Sequence, residues 1–65
     1  MSEAPSYEDI VHALRIRLAG APQLQDQPAR DIGHDLMING YLPCEPDPAL
    51  VRKALLVIKN EGGAA

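Results

Sequence analysis

Sixty-five residues with a formal charge of −3 and a pI near 5.1 read as one small domain, 1–65. That acidity argues against non-specific attachment to nucleic acid or anionic lipid, since both rest on an excess of Lys and Arg. A chain of this length buries only about 60% of the surface its unfolded form exposes, and with Tyr7 and Tyr41 as its only aromatic residues the core has to be aliphatic. Cys44 is the single cysteine, which excludes a disulfide within the chain and suits a reducing compartment.

The segment from Met1 to Ser6 is polar and lacks the apolar stretch of a signal peptide. The longest strictly apolar run, Ala54 to Ile58, is far too short to span a bilayer. The chain is therefore expected to be cytoplasmic and to have no membrane partner, with residues 1–5 as a loose arm and 62–65 as a frayed tail.

Between arm and tail, three apolar-periodic segments each open at a capping signal and close at a glycine. Ser6, Asp26-Gln27-Pro28 and Asp47-Pro48 are the openings; Gly20, Gly40 and Gly62 are the closures. An oxygen-bearing cap accepts from free backbone N–H groups, proline suits a first turn whose N–H would be unpaired, and glycine adopts the left-handed turn that ends a helix. The expected fold is all-α: a small three-helix bundle with helices over Tyr7–Ala19, Pro28–Asn39 and Pro48–Asn60, and a proline-rich link between the second and third.

In the first helix Tyr7, Ile10, Val11, Leu14 and Leu18 fall within one arc of about 100°, the stripe of a helix that faces a core. His12, Arg15, Ile16 and Arg17 fall outside it. The second helix has the stripe Ala29, Ile32 and Leu36, with Gly33 beside it where a neighbour can approach closely. Its polar face is Arg30, Asp31, His34 and Asp35. Asn39-Gly40 could be a hairpin turn, but the helical period upstream makes it a helix end, with Tyr41 folding back on Leu36. Leu42-Pro43-Cys44-Glu45-Pro46 then runs extended around one end of the bundle, because its prolines remove donors and restrict the residues before them. The third helix is the most apolar, and Leu50, Val51, Ala54, Leu55, Val57 and Ile58 make it the central packing element.

The chain carries no phosphate loop, no GxGxxG, no HExxH and no nucleophile with a base near it in sequence, so no enzymatic activity and no cofactor is expected. His12, His34 and Cys44 could join Asp31 or Asp35 around zinc, yet the paired short spacings of a metal site are missing. Asp31 and His34 read as neighbours on a wet face. Glu45 beside Cys44 works against a reactive thiolate, leaving a small, partly buried apolar residue. Met37 is expected at the core edge.

The six bases all fall inside helices, so local positive faces exist on an acidic molecule. On the third helix Arg52, Lys53, Lys59 and Asn60 surround Leu56, opposite the apolar stripe. The plain alternative is a solubilising face with one stray leucine. Ile16 and Ile38 lie off their stripes in the same way, and exposed aliphatic surface of that kind marks a contact with another protein or a second subunit. The expected function is thus a protein-interaction or regulatory module that engages an acidic, partly apolar groove on a larger protein, with a homo-oligomer as a further arrangement. Its contact residues are Arg52, Lys53, Leu56 and Lys59, joined by Ile16 and by Arg15 or Arg17 from the first helix. The alternative is a DNA-binding helix-turn-helix-like domain whose third helix enters the major groove; net charge, the long link and the wide apolar stripe oppose it.

Overall fold

The computed structural model describes residues 4–63. Three α-helices follow in order: α1 (Tyr7–Gly20), α2 (Ala29–Ile38) and α3 (Pro48–Gly63). Among the described residues there is no strand. The expected helices are therefore present, with bounds within about three residues of those read from the sequence.

Each helix begins for a local reason. Ser6 closes a capping box on α1: its hydroxyl accepts from the Asp9 N–H at 3.2 Å while its own N–H donates to Asp9 at 3.4 Å. At α3, Asp47 Oδ1 accepts from the Ala49 N–H at 2.9 Å and the Asp47 carbonyl accepts from Leu50 and Val51. Pro48, first in the helix, has no N–H to satisfy. The expected cap of α2 is corrected. Asp26 ends a separate 3₁₀ helix, Pro22–Asp26, and α2 starts after Pro28, whose carbonyl accepts from Ile32 with no side-chain cap.

The expected closures divide as well. Gly40 has φ +82 and completes a Schellman turn, its N–H bonding to Met37 O and that of Tyr41 to Leu36 O. Gly20 instead lies inside α1, which stops because Ala21 leaves the helical region (φ −145, ψ 69) and Pro22 follows. Gly62 likewise lies within α3, which runs on to Gly63. The tail expected from residue 62 is thus helical as far as Gly63, and Ala64 and Ala65 lie outside the described residues. The loose arm is corrected in part, since Pro5 is buried; residues 1–3 lie outside the description.

Ile10, Leu14, Ile32, Leu36 and Val51 are fully enclosed, joined in the core by Ala13, Leu42, Ala54 and Leu55. Tyr7, Val11, Leu18, Ala29, Leu50 and Ile58 pack around them half-buried. The enclosed residues are all aliphatic, with Tyr7 the aromatic side chain packed against them. α3 packs on both other helices and touches α1 most.

The link between α2 and α3 departs from its expected course. It doubles back along α2, with Leu42 in the core and the ring of Pro46 seated over Gly33. Arg30 and Pro48 consequently line one hollow, and α3 starts beside the first turns of α2. The physical reason is the absent side chain at Gly33, which opens a seat for the Pro46 ring.

Candidate partner-binding surface

Tyr7 and Lys53 meet at one end of the α1–α3 contact, and Arg15 and Glu61 at the other, so the two helices run side by side in the same direction. Lys53 Nζ stands 5.6 Å from the centroid of the Tyr7 ring, within cation–π range. Arg15 pairs with Glu61 at 2.7 Å, both side chains half exposed. On the other flank of α1, Arg17 reaches α2 and forks onto Asp35, Nε to Oδ1 at 2.9 Å and Nη2 to Oδ2 at 3.4 Å. The hydrogen bond to Asp35 holds the Arg17 guanidinium above its ordinary range, against the opposing effect of desolvation.

Three large aliphatic side chains are exposed in a regular way: Ile16 at 49%, Ile38 at 65% and Leu56 at 59%. Each follows by two residues a fully buried member of the core, Leu14, Leu36 and Ala54. Two residues turn a helix by about 200°, so each points away from the shared interior on its own helix. They therefore diverge onto three sides and do not merge into one patch.

The residues singled out from the sequence separate accordingly. Arg52, Leu56 and Lys59 are exposed together on the outer face of α3, and neither cation has an ion-pair partner among the described residues. Lys53 borders them but leans over Tyr7. Arg15 sits on the α3 side of α1 and is engaged by Glu61, while Ile16 faces outward from α1. Arg17 belongs to the α1–α2 contact and is not part of this face.

Between α1 and α3 lies a surface groove of about 230 Å³, lined by Tyr7, Glu8, Val11, His12, Arg15 and Val57. Tyr7, Val11 and Val57 are half-buried and form its apolar floor; Glu8, His12 and Arg15 are exposed and form its polar edge. The sequence offered a partial sign of it. Val11 and Val57 stand at the margins of their apolar stripes, where a helix passes from core to surface, but which two margins meet depends on the register between helices.

His34 pairs with Glu45 of the link through Nδ1 at 3.3 Å. Cys44 is partly buried in the same link. Among the described residues no three His, Cys, Asp or Glu side chains gather as metal ligands would, and no helix is long and apolar enough to cross a membrane. Pro43 and Pro46 have the spacing of a polyproline ligand, but Pro46 is buried against Gly33 and cannot be presented to a partner. No protein-family model, no curated protein and no solved structure matches the chain.

Proposed function

We propose that the chain is a non-enzymatic protein-interaction module that binds a larger protein through the outer face of α3, with Arg52, Lys53, Leu56 and Lys59 as its contact residues. The observation that supports this reading is Leu56, 59% exposed beside two cations that no carboxylate engages among the described residues. Covering apolar surface yields roughly 25 cal/mol per Å², so the leucine supplies affinity. The bases supply encounter rate and orientation toward carboxylates. The partner is accordingly a protein with an acidic, partly apolar groove. Arg15 lies at the margin of the contact, where it can exchange Glu61 for a carboxylate of the partner, while Ile16 faces another side of the molecule and stands outside it. With no chemistry of its own, the module acts by occupying that groove, and we take the cytoplasm as its setting because a sequence with a single cysteine suits a reducing compartment.

The test is a paired capture from lysate of the source cells with the full chain and its Leu56→Ser variant, each first checked by thermal melting. The expected result is a protein retained by the first and lost by the second at equal melting temperatures. Equal retention by both would overturn the reading, as would retention of nucleic acid that falls steeply with added salt through counterion release.

A further inference from the structure

We infer that the partner element seated on the outer face of α3 is a single acidic helix, which lies alongside α3, closes an apolar stripe over Ala49 and Leu56 and sets a pair of carboxylates on Arg52 and Lys59. The inference rests on the proposed binding role of this face and names the element that covers it. The groove that takes Leu56 is then the one between the side-chain ridges of that helix.

Between Ala49 and Asn60 the exposed residues of α3 are Ala49, Arg52, Lys53, Leu56, Lys59 and Asn60. At about 100° per residue, Ala49 falls within about 20° of Leu56, Arg52 and Lys59 lie about 40° and 60° to one side, and Asn60 and Lys53 about 40° and 60° to the other. The face is thus a short apolar line between two polar flanks, and each of the three lines joins residues seven apart. Seven residues are two turns, about 10 Å along the axis. A second helix laid alongside repeats at that same spacing, as helices do in heptad pairing. An extended segment returns its side chains to one face about every 6.5 Å and falls out of step with all three lines. Ala49 has only a methyl group, so it leaves a seat for a large aliphatic side chain of the incoming helix beside Leu56.

The charge that selects an acidic occupant stands on the face itself and is uneven across it. Arg52 and Lys59 have no ion-pair partner among the described residues, and no carboxylate lies on this arc of α3. On the other flank Asn60 is neutral and Lys53 leans over Tyr7. The demand for carboxylates is therefore strongest on the Arg52–Lys59 side. A second copy of the chain docked face to face is opposed, because a two-fold contact would set the same three cations against themselves.

The experiment is an NMR titration of the isotope-labelled full chain with a synthetic peptide of about 18 residues, long enough to hold a helix in water. The peptide repeats leucine at seven-residue spacing and carries glutamates, also seven apart, on both flanks of that line. Expected are shifts of the Leu56 methyl groups and of the Arg52 and Lys59 side chains, with Val11 unmoved. Affinity should fall at least about tenfold when the same glutamates are moved to the peptide face opposite the leucines, and by as much when a central proline breaks the peptide helix. Arg52→Gln/Lys59→Gln should weaken binding at least about tenfold and Lys53→Gln by less, at melting temperatures equal to that of the parent chain. Undiminished binding of the proline peptide would overturn the helix as occupant, and equal binding of the rearranged peptide would overturn the charge register. No binding at all, tighter binding of duplex DNA at the same residues, or concentration-dependent self-association abolished by Leu56→Ser would overturn the acidic partner helix. The paired capture decides the underlying reading independently, because it uses no peptide: a protein retained through Leu56 while every peptide fails would leave the α3 face as a binding surface and remove only the helix.

Discussion

A β-carbon on Gly33 would stand 2.9 Å from Cγ of Pro46 and 3.2 Å from its Cδ, closer than side chains normally approach. α2 and the returning link thus fit together only because residue 33 has no side chain. Replacing a mid-helix glycine by alanine ordinarily gains about 1 kcal/mol of helix propensity. Here overpacking costs about 1–3 kcal/mol, and the ring of Pro46 cannot swing aside as a long side chain would. Gly33→Ala is therefore expected to lower stability by up to about 2 kcal/mol, and by less when Pro46→Ala is already present. Melting curves of the two single variants and the double variant check this; a raised melting temperature for Gly33→Ala alone would show that the link yields freely.

Gly40 is held by a different cause. Nothing lies within 4 Å of the β-carbon that a substitution would add, yet its φ is +82. The penalty is one of backbone conformation, about 1–2 kcal/mol for an ordinary L-residue. Gly40→Ala should destabilise by that amount, while Gly40→Asn should recover part of it because asparagine tolerates the left-handed region. Gly20 also has open space, but its φ is not positive. Gly20→Ala is expected to leave stability unchanged or raise it by about 0.4–1 kcal/mol. Equal losses at 20 and 40 would contradict the Schellman turn.

The two arginine pairs on α1 should respond unequally to mutation. Arg17 and Asp35 are each about three-quarters covered, with side-chain exposures of 28% and 23%, and they meet through two hydrogen bonds. Arg15 and Glu61 are both half exposed, where ion pairs are worth little. Arg17→Lys, which cannot form the fork, should lower the melting temperature more than Arg15→Lys. The sign of the pH dependence follows from the raised pKa of Arg17. A group whose pKa is raised on folding contributes stability at every pH below its unfolded value and loses it only as pH rises through the folded one. Arg17 should therefore add no step to stability between about pH 6 and 10, because guanidinium stays charged throughout that range. Melting curves of Arg17→Lys and the parent chain should run parallel there; convergence would refute it.

Helix placement was legible because period and capping are local. Ser6 and Asp47 work as caps since the N–H groups they satisfy lie two or three residues away. Asp26 misled because Pro22 starts a 3₁₀ helix that takes up the same residues, and a side chain three positions before Ala29 has no reason to reach α2. Gly20 and Gly62 misled because glycine permits a left-handed turn without requiring one. The outward positions of Ile16, Ile38 and Leu56 followed from angle alone, at about 100° per residue. What no local rule contains is which faces meet. The Tyr7–Lys53 and Arg17–Asp35 contacts and the groove between α1 and α3 depend on the return of the link over Gly33, a register set by tertiary packing.

Leu55 and Leu56 are adjacent in sequence and opposite in consequence. Leu55 is only 8% exposed and belongs to the core cluster, whereas Leu56, about 100° further round the helix, is 59% exposed. Truncating a buried leucine removes transfer free energy and leaves a cavity, together about 2–5 kcal/mol, while an exposed position changes stability by no more than about 0.5 kcal/mol. In a domain this small, 1 kcal/mol moves the melting temperature by roughly 4–8 °C, so the two outcomes are well separated. Leu55→Ala should melt at least about 8 °C below the parent, and Leu56→Ser within about 4 °C of it. Partner binding should divide the other way, with Leu56→Ser costing 1 kcal/mol or more if the leucine is an interface anchor. Association with the partner should slow in Arg52→Glu/Lys53→Glu, and the slowing should shrink as salt screens the charges. A Leu56→Ser chain that melts as low as Leu55→Ala would place Leu56 in the core and remove the centre of the proposed surface.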